Sequence, residues 1–125
     1  MTIDQTSEFK SDLKGLGKRY RTIYEDLESF ERAVLIPFLT GQQISSNIAV
    51  KIEGFCGEMF DCYKVRKFAC KALKGNGSKS GIRIIFIHTK FNNKITLIEM
   101  YYKGDKENED KDRLKCQIKD LNQSK

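Results

Sequence analysis

Lys64, Arg66, Arg83 and Lys103 are the residues of this chain whose types and spacing suit them to chemistry. They sit in three segments: Asp61-Cys62-Tyr63-Lys64-Val65-Arg66-Lys67-Phe68, Gly81-Ile82-Arg83-Ile84-Ile85-Phe86 and Ile95-Thr96-Leu97-Ile98-Glu99-Met100-Tyr101-Tyr102-Lys103. Each segment is rich in β-branched and aromatic residues and reads as a strand. Each also carries cations where a plain core strand carries none. Pairing the three in one sheet would gather the four cations into a polyanion site, and RNA is the polyanion they suit best.

The distribution of charge points the same way. The net charge is +6. Residues 61–106 hold eleven Lys/Arg against three acids, a net of +8, while the remainder holds twelve against fourteen. A concentrated positive field favours phosphate backbones. Charge alone leaves RNA, DNA, an acidic protein and a membrane surface all open.

Lys64 and Arg66 fall on one strand face, with Tyr63 and Val65 on the other. A solvated sheet face would look the same. Arg83 shares a face with Ile85 and Ile87, where a lone buried cation is costly. It either serves a ligand, reaches solvent at a frayed strand start, or pairs with Glu99. Tyr101 and Tyr102 point to opposite faces, so one of them can stack on a base; packing in the core is the alternative.

Other chemistries find less support. Cys56, Cys62, Cys70 and Cys116 contain no Cys-x-x-Cys pair, and His88 is the one histidine. Their spacing fits no zinc module, and no Ser-His-Asp or Cys-His arrangement is available. The acids of the basic segment, Asp61, Glu99 and Asp105, are widely spaced for a metal-dependent nuclease. The Gly75–Ser80 loop lacks the phosphate-loop glycines, since positions 73 and 78 are Leu73 and Ser78, and a strand follows it rather than a helix. Lys79 in that loop is better suited to an RNA backbone. No cofactor is expected.

The elements that must position these residues can be read along the chain. Residues 2–6 are expected to form a short edge strand. Phe9, Leu13, Leu16, Tyr20, Ile23, Leu27, Phe30 and Val34 recur in steps of four and three, one continuous apolar face. Gly15 and Gly17 weaken the middle of that run, and Thr22-Ile23-Tyr24-Glu25 has the pattern of a capping box. Two helices are therefore predicted, about Ser7–Lys18 and Ile23–Leu35, the second ended by Pro37. A short extended piece is expected at 49–55, then strands at about 62–70, 82–89 and 95–103, joined closely enough to be antiparallel. A helical tail is predicted at about 108–122, with Leu114, Ile118 and Leu121 on one face and Glu107, Glu109 and Asp110 near its start, where the helix dipole favours anions. The expected fold class is α+β: an N-terminal helical hairpin on a small antiparallel sheet, with a C-terminal helix. A length of 125 residues suits one domain over 1–125. No apolar run approaches the ~20 residues of a membrane span, and the N-terminus lacks the features of a signal peptide, so the expected compartment is the cytoplasm.

In order and composition these segments resemble the RelE/ParE toxin superfamily, on its RelE and HigB side, from about Ser7 to Lys106. Phe9-Lys10-Ser11-Asp12-Leu13-Lys14-Gly15-Leu16 resembles that family's first helix, and Asp61-Cys62-Tyr63-Lys64-Val65-Arg66 its second strand. Gly77-Ser78-Lys79-Ser80-Gly81-Ile82-Arg83-Ile84-Ile85-Phe86 resembles the HigB-like loop and strand, and Leu97-Ile98-Glu99-Met100-Tyr101-Tyr102-Lys103 the last strand. The resemblance implies a type II toxin held by a cognate antitoxin. It also implies metal-free, ribosome-dependent cleavage of translated mRNA, in which a 2′-hydroxyl attacks its own phosphate. Lys64, Arg66 and Arg83 then take the catalytic positions, with Lys67, Lys79, Tyr101, Lys103 and Lys106 in RNA binding. Clustered cations would stabilise charge developing on the phosphate, and repulsion among them would ease proton transfer from a lysine. A gyrase-inhibiting toxin of the ParE kind and a non-catalytic RNA- or protein-binding relative are the alternatives. Two features depart from the RelE pattern. Glu107-Asn108-Glu109-Asp110 stands where a tyrosine is common, and the end of the last strand has Lys103 and Lys106 but no arginine.

Overall fold

The computed structural model describes residues 2–72 and 80–123. Five strands form one sheet in the order β1-β5-β4-β3-β2, with β1 at Thr2–Gln5, β2 at Ala49–Lys51, β3 at Phe60–Val65, β4 at Ile82–Thr89 and β5 at Lys94–Tyr102. β2, β3, β4 and β5 pair antiparallel in sequence order. β1 runs parallel to β5, which makes the sheet mixed. The helices are α1 (Ser7–Arg19), α2 (Ile23–Phe30), α3 (Ile36–Leu39) and α4 (Lys111–Gln123). The architecture is the expected α+β arrangement.

Both sheet faces are covered. On one face Phe9, Leu13, Leu16, Ile23, Leu27 and Phe30 of α1 and α2 pack on Val65, Ile82, Ile84, Phe86, Leu97 and Met100. On the other, Leu114 of α4, with Ile118 and Leu121, packs on Cys62, Ile85, Ile87, Ile98 and Tyr101. The predicted apolar stripes are thus the two layers' contact surfaces, and Tyr63 and Val65 do face away from Lys64. β4 and β5 read as almost continuous apolar runs because each is buried on both sides.

The break between α1 and α2 falls where the two helices were expected to part, at Tyr20–Thr22, with Gly15 and Gly17 inside α1, and three other local expectations need correction. Gly17 has a packing reason: a Cβ there would come within 2.9 Å of the Tyr24 ring on α2. Thr22 makes no cap to the α2 amides. Its hydroxyl donates to Asp26 Oδ2 at 2.7 Å and accepts from the Ala72 amide at 2.9 Å, so a long-range network replaces the capping box. Pro37 does not end the second helix. A π-helical turn at Glu31–Leu35 precedes it, Pro37 lies in the first turn of α3, and the chain stays helical to Leu39. A first-turn proline needs no helical amide partner. Finally, β3 stops at Val65 rather than near 70, because Phe68 turns into the core and its carbonyl accepts from Ser80 Oγ.

One irregularity bears directly on the site. Ile85 pairs with Glu99 and Phe86 with Leu97, so Ile98 is an extra residue in β5. This bulge breaks the strand's alternation and puts Ile98 in the α4-side cluster beside Tyr101. β1 pairs β5 only as far as Leu97, and side chains finish the open edge beyond it. Thr6 Oγ1 and Arg113 Nη1 donate to the Ile98 carbonyl, and the Met100 amide donates to Asp12 Oδ2 at 3.1 Å.

Candidate phosphate-binding cleft

The cleft forms where β3, β4 and β5 end together. Past Val65 the chain is held by the Arg66 and Lys67 amides, which donate to the Ile48 carbonyl at 2.7 and 3.2 Å. On the other side the Lys103 amide donates to the Gly81 carbonyl at 2.8 Å, continuing the β4–β5 ladder by one step. Gly81 sits at φ +86°, and a Cβ there would come within 3.0 Å of the Tyr102 ring. Glycine meets both constraints. Between these ends lies a cleft of about 390 Å³ lined by Ser46, Asn47, Arg66, Lys67, Gly81, Arg83 and Lys103.

Four of those seven residues are cations and none is an acid. Arg66, Lys67 and Lys103 are exposed, while Arg83 is half-buried. Arg83 Nη1 donates to the Arg66 carbonyl at 2.8 Å. That bond fixes the guanidinium plane and leaves the rest of its donor fork for another acceptor. Of the alternatives for Arg83, pairing with Glu99 is not what the structure has. The Glu99 carboxylate instead pairs with Lys106 and accepts from the Asp110 amide. A larger hollow of about 520 Å³ lies between 54–60 and α4. Its lining is mainly apolar and includes Glu58 and a single cation, Lys115, so the smaller cleft, with four cations and no acid, is the better candidate for an anion.

The structure therefore brings Arg66, Lys67, Arg83 and Lys103 into one cleft and leaves other predicted residues outside it. Lys64 lies on the same sheet face, but its Nζ is 3.3 Å from Glu109 Oε1, beneath the segment that leads into α4. Lys106 pairs with buried Glu99 and lies 5.2 Å from the centre of the Tyr101 ring. Tyr101 is only 6% exposed, which puts its ring in the core rather than on a base-stacking surface. Burial, reinforced by the charges of Glu109 and Glu99 and opposed by Arg83, pushes its hydroxyl up to about 12. Lys79 lies outside the described residues. Among the described residues no three His, Cys, Asp or Glu side chains gather as metal ligands.

Sequence reasoning missed three contributors. Ser46 and Asn47 belong to the irregular stretch before β2. Only the pairing of β2 with β3 carries them to the cleft, and no motif marks them. Glu109 was expected to serve the dipole of α4. In fact Asp110 Oδ1 accepts from the Arg113 amide at the helix start, and Glu109 reaches Lys64.

No family model matches the chain, and no curated protein matches it. Solved structures do. A chain of the archaeal RelE–RelB complex from Pyrococcus horikoshii OT3 matches with a TM-score of 0.51 at 14% identity, over 82% of this chain and 94% of that one. A double-arginine mutant of the E. coli toxin RelE in its free state matches with a TM-score of 0.48 at 18% identity, over 85% of this chain and 86% of that one. At such identity the likeness is one of fold: the chain has a RelE-like fold.

Proposed function

We propose that this protein is a toxin of a type II toxin–antitoxin system that cleaves translated mRNA on the ribosome without a metal, and that a cognate antitoxin holds it inactive. The observation that carries the reading is the acid-free cleft of Arg66, Lys67, Arg83 and Lys103 at the strand ends of a RelE-like fold. Oriented cations in a partly desolvated cleft stabilise the extra negative charge of a phosphate under attack by a neighbouring 2′-hydroxyl. Positioning that hydroxyl in line is then most of the remaining task, and the ribosome's hold on the mRNA supplies it. Arg83 is the central residue, because it is half-buried and its guanidinium is braced by the Arg66 carbonyl.

An antitoxin partner follows from the same reading, since such a fold with an open basic cleft needs a counterpart during growth. The test is induced expression in a bacterial host, alone and with the product of any short neighbouring open reading frame. Growth arrest that Arg83→Ala abolishes and the neighbour relieves is the expected result. Arrest unchanged in a folded Arg83→Ala variant would count against the cleft.

One observation favours a second reading, RNA binding without cleavage. Among the described residues the cleft lining has no histidine, tyrosine or carboxylate to act as general acid or base. Salt-sensitive RNA retention with no cut product would select it. DNA-damage induction with intact mRNA would point instead to a gyrase inhibitor.

A further inference from the structure

The segment from Asp105 into α4 covers the sheet face that runs up to the cleft. Asp105 is ion-paired with Arg19, Glu109 with Lys64 and Lys106 with Glu99, and Arg113 Nη1 lies 2.7 Å from Asp12 Oδ2. Leu114 anchors the helix in the core. The fit beneath this cover is incomplete. Glu109 Oε2 and Tyr101 Oη are buried with no hydrogen-bond partner. The Lys64 and Glu109 side chains are 21% and 8% exposed, so desolvation offsets much of their mutual attraction. The cover is thus seated by charge on a lysine two residues before Arg66, and one polar atom of the cover and one of the sheet beneath it stay unsatisfied.

We propose that residues 105–121 form a strap, acidic over its first part at 105–112, in which the Glu109 carboxylate occupies the place of an RNA phosphate on Lys64. Single-stranded RNA entering the cleft competes for that lysine, the strap lifts, and the binding track lengthens from four cations to five. The proposal rests on the RNA reading above and adds a regulation of that site. It makes Lys64 a conditional ligand, masked in the free protein and engaged only when the strap is open.

The test uses the full chain and a labelled single-stranded RNA oligomer, with affinity measured by anisotropy across a salt series. Glu109→Gln frees Lys64 with little change of shape. Its binding should be tighter than wild type, with a log–log salt slope steeper by about 0.7, the contribution of one phosphate contact on a single strand. Lys64→Met should lower affinity more in the Glu109→Gln background than in wild type. Hydrogen exchange of wild type supplies a readout free of mutation: the α4 amides should exchange faster when RNA is saturating. Wild-type affinity and slope in folded Glu109→Gln, or α4 amides equally or better protected with RNA, would overturn the strap and leave the RNA reading standing. If neither wild type nor Glu109→Gln binds RNA at low salt, the functional reading falls and the strap with it.

Discussion

Arg83 Nη1 donates to the Arg66 carbonyl at 2.8 Å, so a side chain on β4 is braced by the backbone just past β3. The bond uses the carbonyl of Arg66 and leaves its guanidinium free, which puts two arginines side by side at one end of the cleft. Arg83→Ala removes the brace and the half-buried charge together. The expected stability loss is about 1 kcal/mol, the ordinary worth of one hydrogen bond, set against loss of RNA binding and of growth arrest. Arg83→Lys keeps the charge but has no planar fork to serve both Arg66 and a phosphate, so intermediate RNA affinity is expected. Urea denaturation beside binding titrations checks both.

Lys67 and Lys103 line the cleft as exposed cations. If each neutralises one phosphate, Lys67→Ala and Lys103→Ala each reduce the salt slope of single-stranded RNA binding by about 0.7. Lys115 lines the other hollow, so Lys115→Ala should leave the slope where it is. Equal effects from all three would mean that the molecule's overall field, and not the cleft, binds the RNA.

Tyr101 and Cys62 make stability fall at alkaline pH. Burial pushes Tyr101 from 10.0 up to about 12 and Cys62 from 9.0 up to about 12. For an acid raised by folding, the unfolded chain loses its proton first, so the stabilisation is complete below the unfolded value and drains away as pH rises toward the folded one. Decline should therefore start near pH 9 with Cys62 and steepen above pH 10 with Tyr101. Tyr101→Phe should remove the steeper part. It should also raise stability at neutral pH by about 1 kcal/mol, because the buried hydroxyl it deletes has no partner. Denaturant midpoints between pH 8 and 11 measure both effects.

Gly104 follows Lys103, and a Cβ at that position would run into the Tyr102 ring. That ring lies 6.0 Å from the Tyr20 ring and has the Arg19 guanidinium 5.5 Å from its centre. Gly104→Ala must move either the ring or the turn that carries Lys103. Overpacking of this kind costs about 1–3 kcal/mol, and weaker RNA binding should accompany the lower midpoint. Full stability with full binding would show that the turn does not position Lys103.

What was legible in the sequence was whatever local pattern dictates. Ile82–Thr89 and Lys94–Tyr102 are strands because their β-branched and aromatic runs leave no other economical burial. The spacing of Phe9, Leu13, Leu16, Ile23 and Leu27 marked the face that α1 and α2 present to the sheet. Arg66, Arg83 and Lys103 were recognisable as cations carried by the strand segments, though Arg66 was expected inside its strand and lies just past the end of β3. What stayed hidden depends on residues far apart in the chain. Thr22 turns from a cap to Ala72, fifty positions away, and Glu109 meets Lys64 across forty-five. The extra residue Ile98 appears only once β5 is paired with β4. Pro37 misled because a π-helical turn ahead of it has no signature as plain as proline's own.

The most direct test of the central claim is mRNA cleavage in a reconstituted translation system, with and without ribosomes, comparing wild type with Arg83→Ala. The expected result is cuts confined to translated mRNA and absent in the variant. No cuts from folded wild-type protein with ribosomes present, or cuts that persist undiminished in Arg83→Ala, would contradict the assignment of this cleft as a ribosome-dependent ribonuclease site.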